Sequence, residues 1–188
     1  ESPKVFDKLL LPADSVYRKA ITIANPLGED FSIMRTVSLN GMLTSLATNF
    51  NRKNKVARLY EFGNVYLPKQ LPLTELPDER MQFTLGMYGD GDFFNMKGVV
   101  EEFFEKIGMK GREKYDPNAG KSFLHPGRQA NIIYDGKVVG YLGEVHPEVA
   151  DIYGIGERAY VAVLDMPEII PYATFDRKYT GIAKYPAV

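Results

Sequence analysis

The sequence predicts an α+β domain, an antiparallel sheet flanked by helices. Its strand-like runs are joined mostly by hairpins or loops, and only two clear amphipathic helices intervene, so the strands are expected to pair antiparallel with the helices on one face of the sheet. A chain of 188 residues that is 45% hydrophobic has enough apolar surface for one compact core.

Taken in order, residues 1–20 mix Leu9-Leu10-Leu11-Pro12 with polar residues and read as an irregular lead-in to a module covering residues 21–188. Ile21-Thr22-Ile23-Ala24 alternates as a short strand that Asn25-Pro26 stops. Leu39, Met42, Leu43, Leu46 and Phe50 fall at helical spacing and line one face of a helix. Ser38 is placed to cap that helix, because its hydroxyl can accept from an unpaired backbone N–H, and Gly41 weakens the first turn. The helix runs out in Asn51-Arg52-Lys53-Asn54-Lys55, where positive charge suits the negative end of the dipole. Residues 59–67 then read as one bulged strand or two strands with a turn at Gly63-Asn64. Pro68, Pro72 and Pro77 hold an extended loop, and residues 81–88 return as a strand ending in Gly89-Asp90-Gly91.

Met96, Val99, Val100, Phe103, Phe104 and Ile107 repeat at helical spacing, giving a second helix that Gly108 can end in the left-handed conformation. A polar connection follows. Ala130, Ile132 and Tyr134 alternate up to Asp135-Gly136, and residues 138–145 return, which is the signature of a type I′ hairpin. Pro147 fits the first position of a short helix that Gly154 ends. Residues 158–164 read as a buried strand and residues 167–170 as a further helical turn. The chain opens at Glu1-Ser2-Pro3 without a methionine and stops at Tyr185-Pro186-Ala187-Val188, which reads as a strand just beginning, so a fragment of a larger protein is expected.

Composition narrows the function. With 23 Lys+Arg against 24 Asp+Glu there is no overall field to hold a polyanion or an anionic membrane, and any nucleic-acid contact has to be local. The absence of cysteine removes disulfides and thiolate metal sites, and with no long apolar run or signal-like start it points to a cytoplasmic protein without a membrane partner. The only histidines are His125 and His146. Glu144, His146 and Glu148 supply metal-ligand atom types, but Pro147 ends the strand before Glu148, and a His-Pro step more readily fixes a turn or caps a helix. Residues 86–91 contain three glycines without the Lys-Ser/Thr of a phosphate loop or a direct lead into a helix, and read as a turn. Ser32, Ser38, Ser45 and Ser122 lack a nucleophile-elbow context. Arg52, Lys53, Lys55 and Arg58 form the densest basic stretch, which suits a solvated helix end better than a phosphate track. No complete catalytic site emerges.

Five stretches together resemble one family, the beta chain of bacterial-type phenylalanyl-tRNA synthetase, in its synthetase-like core module. They are Ile23-Ala24-Asn25-Pro26-Leu27-Gly28-Glu29-Asp30-Phe31-Ser32-Ile33-Met34-Arg35-Thr36, then Asn51-Arg52, then Leu59-Tyr60-Glu61-Phe62-Gly63-Asn64-Val65-Tyr66, then Met96-Lys97-Gly98-Val99-Val100-Glu101, and finally His125-Pro126-Gly127 with Gly140-Tyr141-Leu142-Gly143-Glu144-Val145-His146-Pro147. In this order they cover residues 22–188.

The resemblance implies a class II synthetase fold in a noncatalytic copy, with ATP and magnesium used by the whole enzyme at its alpha chain and no cofactor here. Class II enzymes hold the ATP α-phosphate with an arginine after the strand resembling residues 63–66, where this chain has Leu67. A second arginine ends their Gly-rich strand-to-helix motif, and residues 159–170 hold neither those glycines nor that arginine. The implied role is architectural, in an (αβ)2 enzyme that binds tRNA(Phe). Met34, Leu39, Met42, Leu43 and Leu46 are expected in or beneath the surface facing the alpha chain, and Arg52, Lys53 and Lys55 on the tRNA side. The resemblance also implies an upstream helix and strand, a downstream anticodon-binding domain, and editing and oligonucleotide-fold domains that this chain lacks. The competing reading is an independent class II-like ATP-dependent ligase with an altered nucleotide site near residues 86–91 and His125.

Overall fold

The computed structural model describes residues 1–109 and 111–176, so the strand expected at residues 185–188 lies outside the described residues. Six strands form one sheet: β1 (Ala57–Leu67), β2 (Asp78–Tyr88), β3 (Glu113–Asp116), β4 (Leu124–Tyr134), β5 (Lys137–Val145) and β6 (Ala159–Asp165). They lie in the order β1-β2-β6-β5-β4-β3, every pair antiparallel. The last of the described strands, β6, therefore enters between β2 and β5. Buried along almost its whole length, β6 carries the continuous apolar run of a strand covered on both faces.

The helices are α1 (Val5–Lys8), α2 (Leu39–Asn51), α3 (Phe93–Lys106), α4 (Pro147–Tyr153) and α5 (Met166–Ile169). They occupy both faces of the sheet, and not one as the sequence led us to expect. Met42, Leu43 and Leu46 of α2 pack with Val149 of α4 and Val5 of α1 over Tyr88, Val161 and Val163. On the opposite face Met96, Val100 and Phe104 of α3 and Ile169 of α5 cover Phe83, Leu85, Ala162 and Leu164. Alternate residues of β2 and β6 thus feed two cores, as the period of a strand requires.

Several local expectations change. Residues 1–20 contain the short helix α1 and a 3-10 turn at Val16–Arg18, and they bury Val5, Phe6, Leu9 and Leu11 in the first core. Only an isolated bridge, Thr22 to Ile33, forms where a short strand was expected at residues 21–24. β1 is continuous through Gly63-Asn64, in unbroken register with β2. β3 was not anticipated, because Glu113, Lys114, Tyr115 and Asp116 make a short edge strand with no apolar alternation. The Asp135-Gly136 hairpin is present with both residues at positive φ, 50° and 80°, the type I′ conformation. Gly154 ends α4 in the left-handed region.

Candidate functional site

The end of the sheet where β1 leaves into the proline-rich loop and β6 passes into α5 is where the chain brings together charges distant in sequence. Leu67 lies opposite Asp78, and Asp165 opposite Gln82. Arg80 reaches across this end: Nε and Nη2 donate to Asp165 Oδ2 at 2.9 and 2.6 Å, Nη2 to Glu168 Oε1 at 2.9 Å, and Nη1 to Asp78 Oδ2 at 3.1 Å. One guanidinium is shared by three carboxylates. The hydrogen bond to Asp165 leads the causes that push Arg80 above its ordinary pKa. Burial outweighs this pairing at Asp165 and raises its carboxyl, whose Oδ1 is buried without a partner among the described residues.

A second polar cluster sits at the start of α2. Ser38 occupies the N-cap position, but its hydroxyl does not cap the helix as expected; it donates to Gln82 Oε1 at 2.7 Å and accepts from Thr84 Oγ1 at 2.7 Å. Ser38 and Thr84 are buried, and bonding to each other satisfies groups that would be costly to leave unpaired. Just upstream, Arg35 runs over the edge of β1, donating to the Asn64 carbonyl at 2.6 Å and to Glu61 Oε1 at 2.7 Å, while its own carbonyl accepts from Tyr66 N–H. Gly63 makes room for it.

The expected site residues fall as follows. Leu39, Met42, Leu43 and Leu46 are at most 2% exposed and pack onto the sheet, so these four lie beneath any surface and do not form one; Met34 is half-buried. Above them the outward face of α2 presents exposed Thr44, Ser45 and Thr48. Arg52, Lys53 and Lys55 are exposed and make no ion pair among the described residues, whereas Arg58 pairs with Asp90 at 3.0 Å. His146 caps α4, its Nδ1 accepting from Glu148 N–H at 3.3 Å, whereas His125 lies within β4, where its Nδ1 accepts from Gly127 N–H at 3.1 Å, and not in the turn expected of a His-Pro step. Glu144 is committed to Arg128, which donates from Nε and Nη2 at 2.6 and 2.9 Å. Among the described residues no group of three or more His, Cys, Asp or Glu is placed to hold a metal.

Contrary to expectation, the glycine turn at residues 89–91 does open directly onto a helix, since α3 begins at Phe93. Its N-terminus is already occupied: Asp92 Oδ1 accepts from Asn95 N–H and Asn95 Oδ1 accepts from Asp92 N–H, both at 2.9 Å. With this capping box filled and Asp90 beside it, the turn is no anion cradle. The Arg80 cluster and the Arg35 crossing were both missed in the sequence. Arg80 is 85 and 88 residues from two of its partners, and no local spacing announces such a contact.

An antiparallel sheet of this order with a strand-to-helix junction at one end defines a class II aminoacyl-tRNA synthetase-like core. Two solved structures of pyrrolysyl-tRNA synthetase from Desulfitobacterium hafniense share the fold, with TM-scores of 0.68 and 0.69 at 9% and 10% identity, each covering 90% of this chain and 58% of theirs. Residues 1–166 match the family described as phenylalanyl tRNA synthetase beta chain CLM domain, and the chain belongs to that family. It is 44% identical over 187 residues to the phenylalanine--tRNA ligase beta subunit of Clostridium acetobutylicum and 41% identical to that of Clostridium tetani. Both alignments cover 100% of this chain and 23% of the relative's length. The beta subunit of Symbiobacterium thermophilum is 35% identical over 198 residues, covering 99% of this chain and 22% of that protein. These names support a beta-chain module and give no support to an independent ligase. No helix among the described residues is long and apolar enough to cross a membrane.

The ATP phosphates that a class II fold implies do not fit the side chains present. Leu67 ends β1, no arginine occurs between residues 159 and 170, and the guanidinium nearest that junction is spent on three carboxylates. The excess negative charge there would repel a polyphosphate rather than neutralise it.

Proposed function

We propose that this module is a noncatalytic structural part of phenylalanyl-tRNA synthetase, which packs against the catalytic alpha chain and so supports ATP-dependent charging of tRNA(Phe) with phenylalanine. The observation that carries this reading is the engagement of Arg80 by Asp78, Asp165 and Glu168 at the end of the sheet where phosphate-binding arginines would be needed. Stabilising charge as it develops on a transferred phosphate requires free, preorganised cations, and none is on offer there. The beta-subunit names of the relatives support a partner alpha chain, and an (αβ)2 assembly is part of this proposal. The lack of cysteine is in keeping with a cytoplasmic location.

In this reading Leu39, Met42, Leu43 and Leu46 support the alpha-facing surface from beneath, Met34 lies at its margin, and Thr44, Ser45 and Thr48 meet the partner. Arg52, Lys53 and Lys55 face tRNA. Calorimetric titration of the chain with ATP and magnesium is expected to give no binding heat; saturable heat would sink the noncatalytic assignment. Co-expression with an alpha chain is expected to yield a co-purifying complex, and Thr44→Lys with Thr48→Lys to weaken it without lowering the melting temperature. Neutralising Arg52, Lys53 and Lys55 should reduce the salt dependence of tRNA binding by the assembled enzyme. An unchanged slope removes the tRNA-side assignment.

A further inference from the structure

β1 is an outermost strand of the sheet, and only part of its free edge is closed. Tyr66 N–H donates outward to the Arg35 carbonyl at 2.9 Å, and the Asn64 carbonyl accepts from Arg35 Nε at 2.6 Å. Hydrogen-bonding direction alternates along an antiparallel strand, and β1 keeps unbroken register with β2, so Arg58, Tyr60 and Phe62 also turn their N–H and C=O groups away from β2. Among the described residues nothing bonds to those outward backbone groups. The same three residues are exposed, Tyr60 by 72% and Phe62 by 51%. Their two rings lie against Phe83 of β2, Tyr60 edge-on and Phe62 stacked, with centroids 6.1 and 4.4 Å away. A length of strand with unpaired backbone, no bulge and no proline, beside two exposed aromatic rings, is a template for one more strand.

We infer that a strand from a part of the beta subunit outside these 188 residues pairs with β1 at residues 58–62 and lays apolar side chains on Tyr60 and Phe62. The chain spans 23% of the length of two of its relatives, so a full subunit has ample polypeptide to supply that strand. Glu1 and Ile33 exchange both backbone hydrogen bonds, at 2.7 and 3.0 Å, as an antiparallel pair. Arg35, two residues on, is the residue that closes the far part of the β1 edge. Polypeptide joined to Glu1 would therefore arrive beside the margin of the open stretch. A covalently joined strand also has little translational freedom to lose, so a short pairing holds it where a free partner would need a larger contact. The inference rests on the chain's place in the beta-chain family and is independent of its contacts with an alpha chain or tRNA.

The test is made in the assembled enzyme of alpha and beta chains, with p-benzoyl-phenylalanine replacing Tyr60 and amide hydrogen exchange read residue by residue across β1. Photolysis should cross-link position 60 to a beta-subunit peptide outside the 188 residues. The amides of Arg58, Tyr60 and Phe62 should exchange as slowly as those of Leu59 and Glu61, which point to β2. In the 188-residue chain alone, the same three amides should exchange fast and the other two slowly. Cross-links to the alpha chain, to a second copy of this module or only within the module would each overturn the inference, as would fast exchange at the three amides in the assembled enzyme. ATP binding by the module, which counts against its noncatalytic role, leaves both readouts unchanged.

Discussion

Gly63 lies where the guanidinium of Arg35 crosses β1, and a Cβ there would come within 1.9 Å of Arg35 Nη2. Gly63→Ala should therefore displace Arg35 and cost about 1.5–3 kcal/mol, the range for hydrogen bonds to charged groups. In an Arg35→Ala background most of that cost should vanish, and urea denaturation of the four proteins of this cycle measures the coupling. Glu144 supplies a second test. Burial pushes its carboxyl up, but the hydrogen bonds and charge of Arg128, with Arg158 beyond, outweigh burial and hold it below its ordinary value. A depressed carboxylate stabilises the fold above its unfolded pKa and loses that contribution as pH falls through the folded one. The melting temperature should thus drop more steeply in acid for the parent chain than for Glu144→Gln, with the difference confined to pH below about 4.5, near the unperturbed Glu value. At this scale the sequence was informative only where chemistry is local. The His146-Pro147 step announced a helix cap, whereas the partners of Arg80 and Arg35 come from other strands and leave no mark within a short window.

Among the elements, α2 and α3 were legible because their apolar positions keep helical spacing, and the Asp135-Gly136 hairpin because two adjacent positive φ values restrict the residues allowed. What amphipathicity cannot express is which face of the sheet a stripe will cover, and hence two cores stand where one was expected. The first turn of α3 was missed because Asn95 replaces the usual Glu or Gln of a capping box, though Asp92 and Asn95 make both of its bonds. Asp92→Ala should cost about 1 kcal/mol in denaturant unfolding. Hydrogen exchange should localise the loosening to residues 93–96, leaving α2 protected as before. β3 shows the opposite limit: a four-residue edge strand is specified by the neighbour it pairs with more than by its own sequence.

For the whole molecule, the class of fold was readable from the sequence and from the resemblance together, while the electrostatics of the sheet end that faces β6 and α5 was not. Near-neutral net charge says nothing about where charges gather. At that end the fold collects Asp78, Asp165 and Glu168 around Arg80, while in the connection between α2 and β1, at the other end of β1, Arg52, Lys53 and Lys55 make no ion pair among the described residues.

The insertion of β6 between β2 and β5 also dictates a timetable. On a ribosome the β1–β2 and β4–β5 hairpins emerge complete, yet each shows an open edge until residues 159–165 arrive to join them. Joining the two halves of the sheet must wait for β6, the last of the described strands, a long-range pairing that is slow to form and leaves exposed edges in the interval. A nascent chain exposed only to Arg158 should accordingly bind a chaperone trap more strongly than one exposed to Asp176, in which β6 is present. Nascent-chain pulldown at the two lengths would reveal the difference.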